Sequence, residues 1–350
     1  MMAAGLDFFE AYRGQRTLTY PPQPELEPTT DAEEQLDEFV DLSYEVHPPQ
    51  WRPLMPKIPD GFVPIRWSER PRRFIDGRDV GEIIATLWSK EGFPIPVRLS
   101  QIGAAVITET DGQLRRTEEV IQRSVTLIGD PFPWHELERL AAGLQTQGLR
   151  LLVARLPKVE DPRLLCDFEV MRKATLNRSL HEMATLEESL IPMAEPVPTV
   201  LDRYLDKRVG RMHPRAPLIG VIKSHWQNYL SVETMKVLYQ LQPGERTPVF
   251  LLKGHKLPVV SFYLRLAGGM PNWGLIRVEL SEGFYQDARH TDPLYLDKLS
   301  YTLFDYRCRR TSYGRAPVSL QPIVRAEQTL ASLLCPMSRL TNSFYRIANL

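Results

Sequence analysis

The sequence predicts an α/β fold in which a sheet of mixed strand direction is flanked by helices. Short apolar runs bounded by turn residues recur along the chain, which is typical of strands. Longer segments with helical spacing lie between these runs and after them. Strands come first and are then mixed with helices without a regular strand–helix–strand period, which argues against a uniformly parallel sheet. At 350 residues the chain can bury a large core, so we expect one main domain with an appendage.

The composition is that of an ordinary soluble protein, with 43% hydrophobic and 25% charged residues. Basic and acidic residues both number 43, so broad attraction to nucleic acid is not expected and any such binding must come from local patches. The three cysteines lie far apart without a C-x-x-C pair, which argues against a zinc ribbon or a disulfide framework. No apolar run reaches about 18 residues and the first residues do not resemble a signal peptide, so we expect a cytoplasmic protein.

Residues 1–60 are predicted to form an N-terminal helical and proline-rich arm, and residues 61–350 the main domain. Within the arm, residues 3–12 predict a short amphipathic helix, and residues 31–44 a second helical island in a proline-rich, acidic setting. Such a segment either wraps the main body or docks a partner, and the sequence leaves both interpretations open.

In the main domain, apolar periodicity predicts the order of strands and helices. Strands are expected to begin near residue 72 and to follow at 97–108, 115–128, 150–154, 199–202, 218–222, 249–252, 259–266 and 274–280. Helices are expected at 134–145, 164–191, 293–303 and 325–345. The segment Thr110-Asp111-Gly112-Gln113 predicts a tight hairpin between the second and third strands.

Asp76 is the residue around which a functional site is predicted. The apolar pair Phe74-Ile75 precedes it and Gly77 follows, which indicates a strand end and a sharp turn. A carboxylate in such a place needs a cation or a basic partner, because leaving it unpaired is costly. Asp202 likewise follows an apolar run. The intervening helix carries acidic residues, and another lies near the start of the last helix: Glu182, Glu187, Glu188 and Glu327.

Four convergent carboxylates would suit a site that hydrolyses phosphodiesters with two divalent metal ions. Two ions about 3.5–4 Å apart clamp the attacking water and the leaving oxygen. Carboxylate oxygens suit Mg²⁺ and Mn²⁺. The spacing alone does not establish this, because an aspartate at a strand end is commonly a turn or cap residue. The sequence contains no H-E-x-x-H zinc motif, no G-x-S-x-G nucleophile motif and no Walker phosphate loop.

Several short motifs resemble those of the NurA nucleases, in the order expected for that family. They are Phe74-Ile-Asp-Gly77, Thr199-Val-Leu-Asp-Arg-Tyr-Leu205, Ile219-Gly-Val-Ile-Lys-Ser224, Phe262-Tyr-Leu-Arg-Leu266, Ile276-Arg-Val-Glu279 and Pro322-Ile-Val-Arg-Ala-Glu327. The resemblance implies an RNase H-like core, related to the Piwi nuclease domain. It also implies a manganese-dependent 5′–3′ exonuclease that cuts single strands as well. As partners it implies a second copy of the chain and the hexameric HerA translocase, in DNA end processing and repair.

Carried over by position, the resemblance assigns Asp76 and Asp202 as metal ligands. It leaves the helix ligand open between two glutamates, of which we prefer Glu182 to Glu187 because a loop and a strand must fit before Asp202. Glu327 stands where the family commonly has His or Asp. The predicted catalytic set is therefore Asp76, Glu182, Asp202, Lys223 and Glu327, with the four acids holding two Mn²⁺ or Mg²⁺ ions. Two arginines depart from the family pattern, Arg78 after Gly77 and Arg203 after Asp202.

Lys223 ends a strand, and its expected role is to hold the scissile phosphate or to stabilise developing charge; the alternative is a surface ion pair. Arg277 and Glu279 share one strand face, and we expect them to pair across the sheet; a DNA contact made by Arg277 is the alternative. Basic stretches at 70–73, 207–211 and 306–315 are candidates for phosphate contacts.

Two rival interpretations of the whole chain remain. One is a catalytically inactive RNase H-like module that binds nucleic acid or caps a translocase, with arginines in the metal positions. The other is a scaffold for protein interactions built around the arm.

Overall fold

The computed structural model describes residues 5–17, 41–156, 167–192, 196–205, 215–223, 230–253, 258–271, 273–309 and 319–350. Across these ranges an 11-stranded sheet of mixed direction is flanked by helices, which confirms the predicted fold class. None of the helices in these ranges has both the length and the apolar character needed to cross a membrane.

The strands are β1 (Gln15–Arg16), β2 (Asp41–Tyr44), β3 (Arg73–Trp88), β4 (Pro94–Thr110), β5 (Gln113–Ile128), β6 (Arg150–Ala154), β7 (Thr199–Leu201), β8 (Leu218–Ile222), β9 (Phe250–Lys253), β10 (Val259–Arg265) and β11 (Leu275–Ser281). The helices are α1 (Phe8–Ala11), α2 (Trp134–Thr146), α3 (Phe168–Ser189), α4 (Val232–Gln240), α5 (Glu282–Thr291), α6 (Tyr295–Asp305), α7 (Gln321–Leu333) and α8 (Met337–Ala348). Sequence periodicity had not indicated β1, β2, α4 or α5.

The strand order is β2-β9-β10-β11-β8-β7-β3-β4-β5-β6, and β1 pairs with the far end of β3. β3, β4 and β5 form an antiparallel meander joined by the predicted hairpin, in which Asp111 and Gly112 both have positive φ. β7 adds in parallel to β3, and β8 adds in parallel to β7. In the order β5-β4-β3-β7-β8, three antiparallel strands are followed by two that are added in parallel, and β11, β10 and β9 extend the sheet in antiparallel fashion.

Two helices cover opposite faces of the central strands. Successive strand residues point to opposite faces, and Gly77 faces α3 whereas Asp76 faces α7. α3 approaches the sheet closely because small hydroxyl residues line its inner side. Ser179 is fully buried there, with its Oγ 3.5 Å from Ser100 Oγ and 3.3 Å from Thr126 Oγ1.

The expected sharp turn after Asp76 is not present. Asp76 lies inside the 16-residue strand β3, where Gly77 pairs with Ala104 of β4. The strand continues through the charged residues that follow because they find partners in other elements. Asp79 accepts a hydrogen bond of 2.8 Å from Arg98 Nη2. Further along β3, Thr341 of α8 donates to Glu82.

Gly77 is required by close packing rather than by a turn, and Gly77→Ala is expected to destabilise the fold. A Cβ at this position would lie 2.6 Å from Glu187 Oε1 and 2.7 Å from Met183 Cγ, so these two side chains of α3 would have to shift. Overpacking of this kind costs about 1–3 kcal/mol. Chemical denaturation should show this loss, whereas Gly268→Ala, whose Cβ would meet only Pro243 Cγ at 3.7 Å, should be tolerated. Equal stability of the two variants would contradict the assignment.

The chain termini also differ in detail from the sequence predictions. The single C-terminal helix expected at 325–345 is two helices, α7 and α8, because Pro336 cannot continue a helix and Cys335 N–H donates to Gln101 Oε1 instead. At the other end, residues 41–44 of the predicted helical island form β2, which pairs with β9; residues 31–40 of the island lie outside the described ranges. The division at residue 60 stays a prediction.

Candidate metal centre

Three carboxylates meet on the face of the sheet that α7 covers. Asp76 lies in β3, Asp202 directly follows β7, and Glu327 lies on α7. Ile75 pairs with Leu201 in the parallel ladder, so the next residues along the two strands, Asp76 and Asp202, are placed side by side. One oxygen of each of the three carboxylates lies within 4.8 Å of the others. The sequence thus predicted this convergence correctly for three of its four acids.

Asp76 is the most deeply buried member of the cluster, with 5% of its surface exposed. Its Oδ2 atom finds no hydrogen-bond partner among the described residues. Burial, and next the charge of Asp202, raise the pKa of Asp76 well above its ordinary range. A cation would remove the cost of this buried charge, and carboxylate oxygens are ligands that Mg²⁺ and Mn²⁺ prefer. The residues present therefore fit a divalent cation.

Lys223 reaches into the same cluster from the end of β8 and is not a surface residue, since 16% of its side chain is exposed. Its Nζ lies 2.5 Å from Asp202 Oδ2, 3.3 Å from Glu327 Oε1 and 3.5 Å from Ser319 Oγ. Burial acts to lower the pKa of Lys223, but the surrounding carboxylates outweigh it and raise that pKa above its ordinary value. Lys223 is therefore a charged ammonium inside the carboxylate cluster.

Glu182, the preferred helix ligand, is not brought to this cluster. Its Oε1 lies 2.6 Å from Arg150 Nη1 and its Oε2 lies 3.1 Å from Arg178 Nη1, so two arginines already neutralise it. Glu187, the alternative, lies five residues further along α3, which is about 140° around the helix axis. Loop length, on which the preference for Glu182 rested, carries no information about this rotation.

Glu187 lies closer to the cluster but on the opposite face of β3, over Gly77. Its Oε2 is 3.2 Å from Arg203 Nη1. Burial raises the pKa of Glu187 to about 7, although Arg203 acts to lower it. Arg203 also lies 3.5 Å from Glu188, and Arg78 is exposed, so neither of the two departing arginines enters the three-carboxylate cluster.

Because Glu182 lies apart from the cluster, Glu182→Gln should change the rate of metal-dependent DNA cleavage by less than about threefold, since no reacting group is touched. The rate is measured on end-labelled DNA with Mn²⁺, with Glu327→Gln as the matched change inside the cluster. Abolition of cleavage by Glu182→Gln, in a variant with a wild-type melting curve, would restore Glu182 as a ligand.

A buried ionic network lies behind the cluster and confirms the expected pairing of Arg277 with Glu279. Arg277 Nη2 donates to Glu279 Oε1 at 2.8 Å, and both side chains are almost completely buried. The second oxygen of Glu279 accepts the backbone N–H of Leu205 at 3.0 Å, and the Arg277 guanidinium lies 5.0 Å from the centre of the Tyr204 ring. The network therefore holds the loop that begins at Asp202.

The basic stretch 70–73 has a structural role. Arg70 is buried and donates two hydrogen bonds to Glu109, whereas Arg73 contacts Glu118 and the carbonyl of Leu190. Residues 207–211 lie outside the described ranges, as do residues 310–315 of the third stretch. Arg70 and Arg73 therefore give no support to a phosphate-binding role.

Fold and site together define an α/β protein whose mixed sheet carries a largely buried cluster of three carboxylates and one ammonium. Among solved structures, the crystal structure of the NurA nuclease from Sulfolobus solfataricus is similar, with 11% sequence identity over 80% of this chain and 81% of that chain. The TM-score is 0.35, so this likeness carries no argument about family or activity. No protein-family model matches the chain, and no curated protein matches it.

Proposed function

We propose that this chain is a metal-dependent DNA nuclease that hydrolyses phosphodiester bonds. The observation that supports the proposal is the convergence of Asp76, Asp202 and Glu327 around one point, where a buried oxygen of Asp76 has no partner among the described residues. Three carboxylates at one point suit Mn²⁺ or Mg²⁺. DNA is the proposed substrate because of the collinear motifs that resemble those of the NurA nucleases.

Each group of the cluster would have a separate role in phosphodiester hydrolysis. A divalent cation, when bound, supplies the charge that activates a water molecule and offsets charge on the phosphate. Asp76, Asp202 and Glu327 would hold that cation. Lys223 Nζ faces the same point and would bind a phosphate oxygen, favouring the charge that develops during hydrolysis. Glu182 and Glu187 have no part in this assignment.

The finer features of the proposal rest on the motif resemblance alone. They are 5′–3′ exonuclease and single-strand endonuclease activity, a homodimer, and action with a HerA-type hexameric ATPase in DNA end processing and repair. The cytoplasmic location and the division into a 1–60 arm and a 61–350 nuclease domain are likewise proposals, and they rest on the sequence.

The proposal is tested with the purified full-length chain on end-labelled single-stranded and double-stranded DNA. Cleavage should require Mn²⁺ or Mg²⁺, stop on addition of EDTA, and be lost in Asp202→Asn. Cleavage that persists in Asp202→Asn would assign the activity to a contaminant or to another site. Absence of cleavage with both metals in a folded chain would contradict the proposal unless a translocase partner restores it.

A second candidate is a catalytically inactive subunit that binds nucleic acid or acts as a scaffold in a translocase complex. The contact of Lys223 with Asp202 and Glu327 favours it, because this ammonium already compensates part of the cluster's charge. This candidate predicts that the chain shifts DNA in a gel but cleaves it with neither metal. Arginines in the metal positions, which it also predicted, are not found, since Arg203 pairs with Glu187 and Arg78 is exposed.

A further inference from the structure

We infer that the cluster takes one divalent cation and that Lys223 supplies the second positive charge which a two-metal site would obtain from another ion. This inference rests on the proposed function and departs from the two-metal expectation. It assigns a defined stoichiometry to the site and a permanent charge to one side chain.

The supply of carboxylates supports a single ion. Two-metal sites depend on several acids that surround both ions. Within the described part of the chain, Asp76, Asp202 and Glu327 form the cluster and no fourth acid joins them. The two helix glutamates that the two-metal expectation required are held elsewhere, Glu182 by Arg150 and Arg178, and Glu187 by Arg203 on the opposite face of β3.

Lys223 is built into the position that a second cation would take. The backbone before it is fixed, because Ile222 pairs with Arg277 in the ladder between β8 and β11. Its ammonium contacts two of the three carboxylates and the hydroxyl of Ser319. Because Lys223 is largely buried and contacts three groups, its position is fixed by the fold, unlike that of an exposed lysine in a chance ion pair.

The charge balance agrees with this assignment. When a cation is bound and all three carboxylates are ionised, the carboxylates and the one ammonium carry a net charge of two negative units, which one divalent cation neutralises. A second ion would leave two excess positive charges beside Asp76, which is 5% exposed, and uncompensated charge at a buried site is costly. The Arg203 pairs with Glu187 and Glu188 lie on the other face and do not enter this count.

The inference is tested by titrating the purified full-length protein with Mn²⁺ in a calorimeter, without DNA. The variants are Asp76→Asn, Lys223→Met, Lys223→Gln and Lys90→Met, the last removing one positive charge from an exposed site. We expect one Mn²⁺ per wild-type chain and loss of this binding in Asp76→Asn. Lys223→Met should bind the ion at least about tenfold more tightly, because a positive charge next to the ion is removed, and Lys90→Met should match the wild type.

Each other outcome is decisive in a different way. Two Mn²⁺ ions per wild-type chain, both lost in Asp76→Asn, would overturn the inference and leave the proposed function standing. Unchanged affinity in both Lys223 variants would also overturn it, because Lys223 would then carry no charge that the ion senses. No bound Mn²⁺ in a wild-type chain with a native melting curve would overturn the inference and the proposed metal dependence together. Lys223→Gln replaces Lys223→Met if the latter does not fold.

Discussion

Asp76→Asn should abolish Mn²⁺-dependent DNA cleavage and, in the absence of metal, make the protein more stable than the wild type. The first effect follows because a carboxylate at the centre of the cluster becomes a neutral amide, and we expect a loss of about a thousandfold or more in rate. The second follows because burial, and next the charge of Asp202, raise the pKa of Asp76, so the folded chain bears a cost for an ionised group there that a neutral amide avoids.

The two effects are separated by measuring cleavage with Mn²⁺ and thermal unfolding with EDTA on the same preparations. The matched control is Asp79→Asn, which changes a buried aspartate three positions further along β3. Asp79 is paired with Arg98 and lies outside the cluster, so this variant should keep cleavage. An Asp76→Asn variant that cleaves DNA, or one that melts well below the wild type, would show that Asp76 is a structural residue.

Arg277→Met should destabilise the fold more strongly than Gly77→Ala. Glu279 would be left in the interior without its cation, and breaking a buried pair in this way costs about 3–5 kcal/mol. The loop that begins at Asp202 should loosen as well, because Glu279 also accepts the N–H of Leu205 and the Arg277 guanidinium lies over Tyr204. Cleavage should therefore fall together with stability.

Urea denaturation of a double-mutant cycle measures this effect. The double variant Arg277→Met/Glu279→Leu should recover part of the lost stability, because replacing both members of a buried pair by apolar residues is often neutral. Arg289→Met, which breaks an exposed pair with Glu45, should cost less than about 1 kcal/mol. If Arg277→Met costs no more than Arg289→Met, the network does not hold the loop behind the cluster.

Much of the fold could be predicted from local pattern because the physics that forms those elements is local. Apolar runs gave β6 and β8 at their observed bounds, and Asp111-Gly112 marked the hairpin because both residues tolerate positive φ. The long strand β3 could not be predicted in this way. Asp79 and Glu82 find their partners in β4 and α8, and no local property of the segment shows that these partners exist.

The residues of the functional site were also predictable only where local sequence pattern decides their position. Asp76 and Asp202 were predictable because each follows an apolar run, and parallel pairing of two such strands places the residues that follow side by side. The helix glutamate was not predictable, because a rotation of α3 by part of a turn decides which acid faces the sheet and which arginine reaches it.

By itself, the sequence determined the sheet of mixed direction, most strand positions and three acids of the cluster, because strand periodicity and chain order are encoded locally. Only the tertiary structure decided that Asp76 lies within a strand, that Glu182 is held by arginines, and that the ammonium of Lys223 lies among the carboxylates. Each of these outcomes depends on at least one pair of groups that lie more than 20 residues apart in the chain and meet in a buried, weakly screened environment.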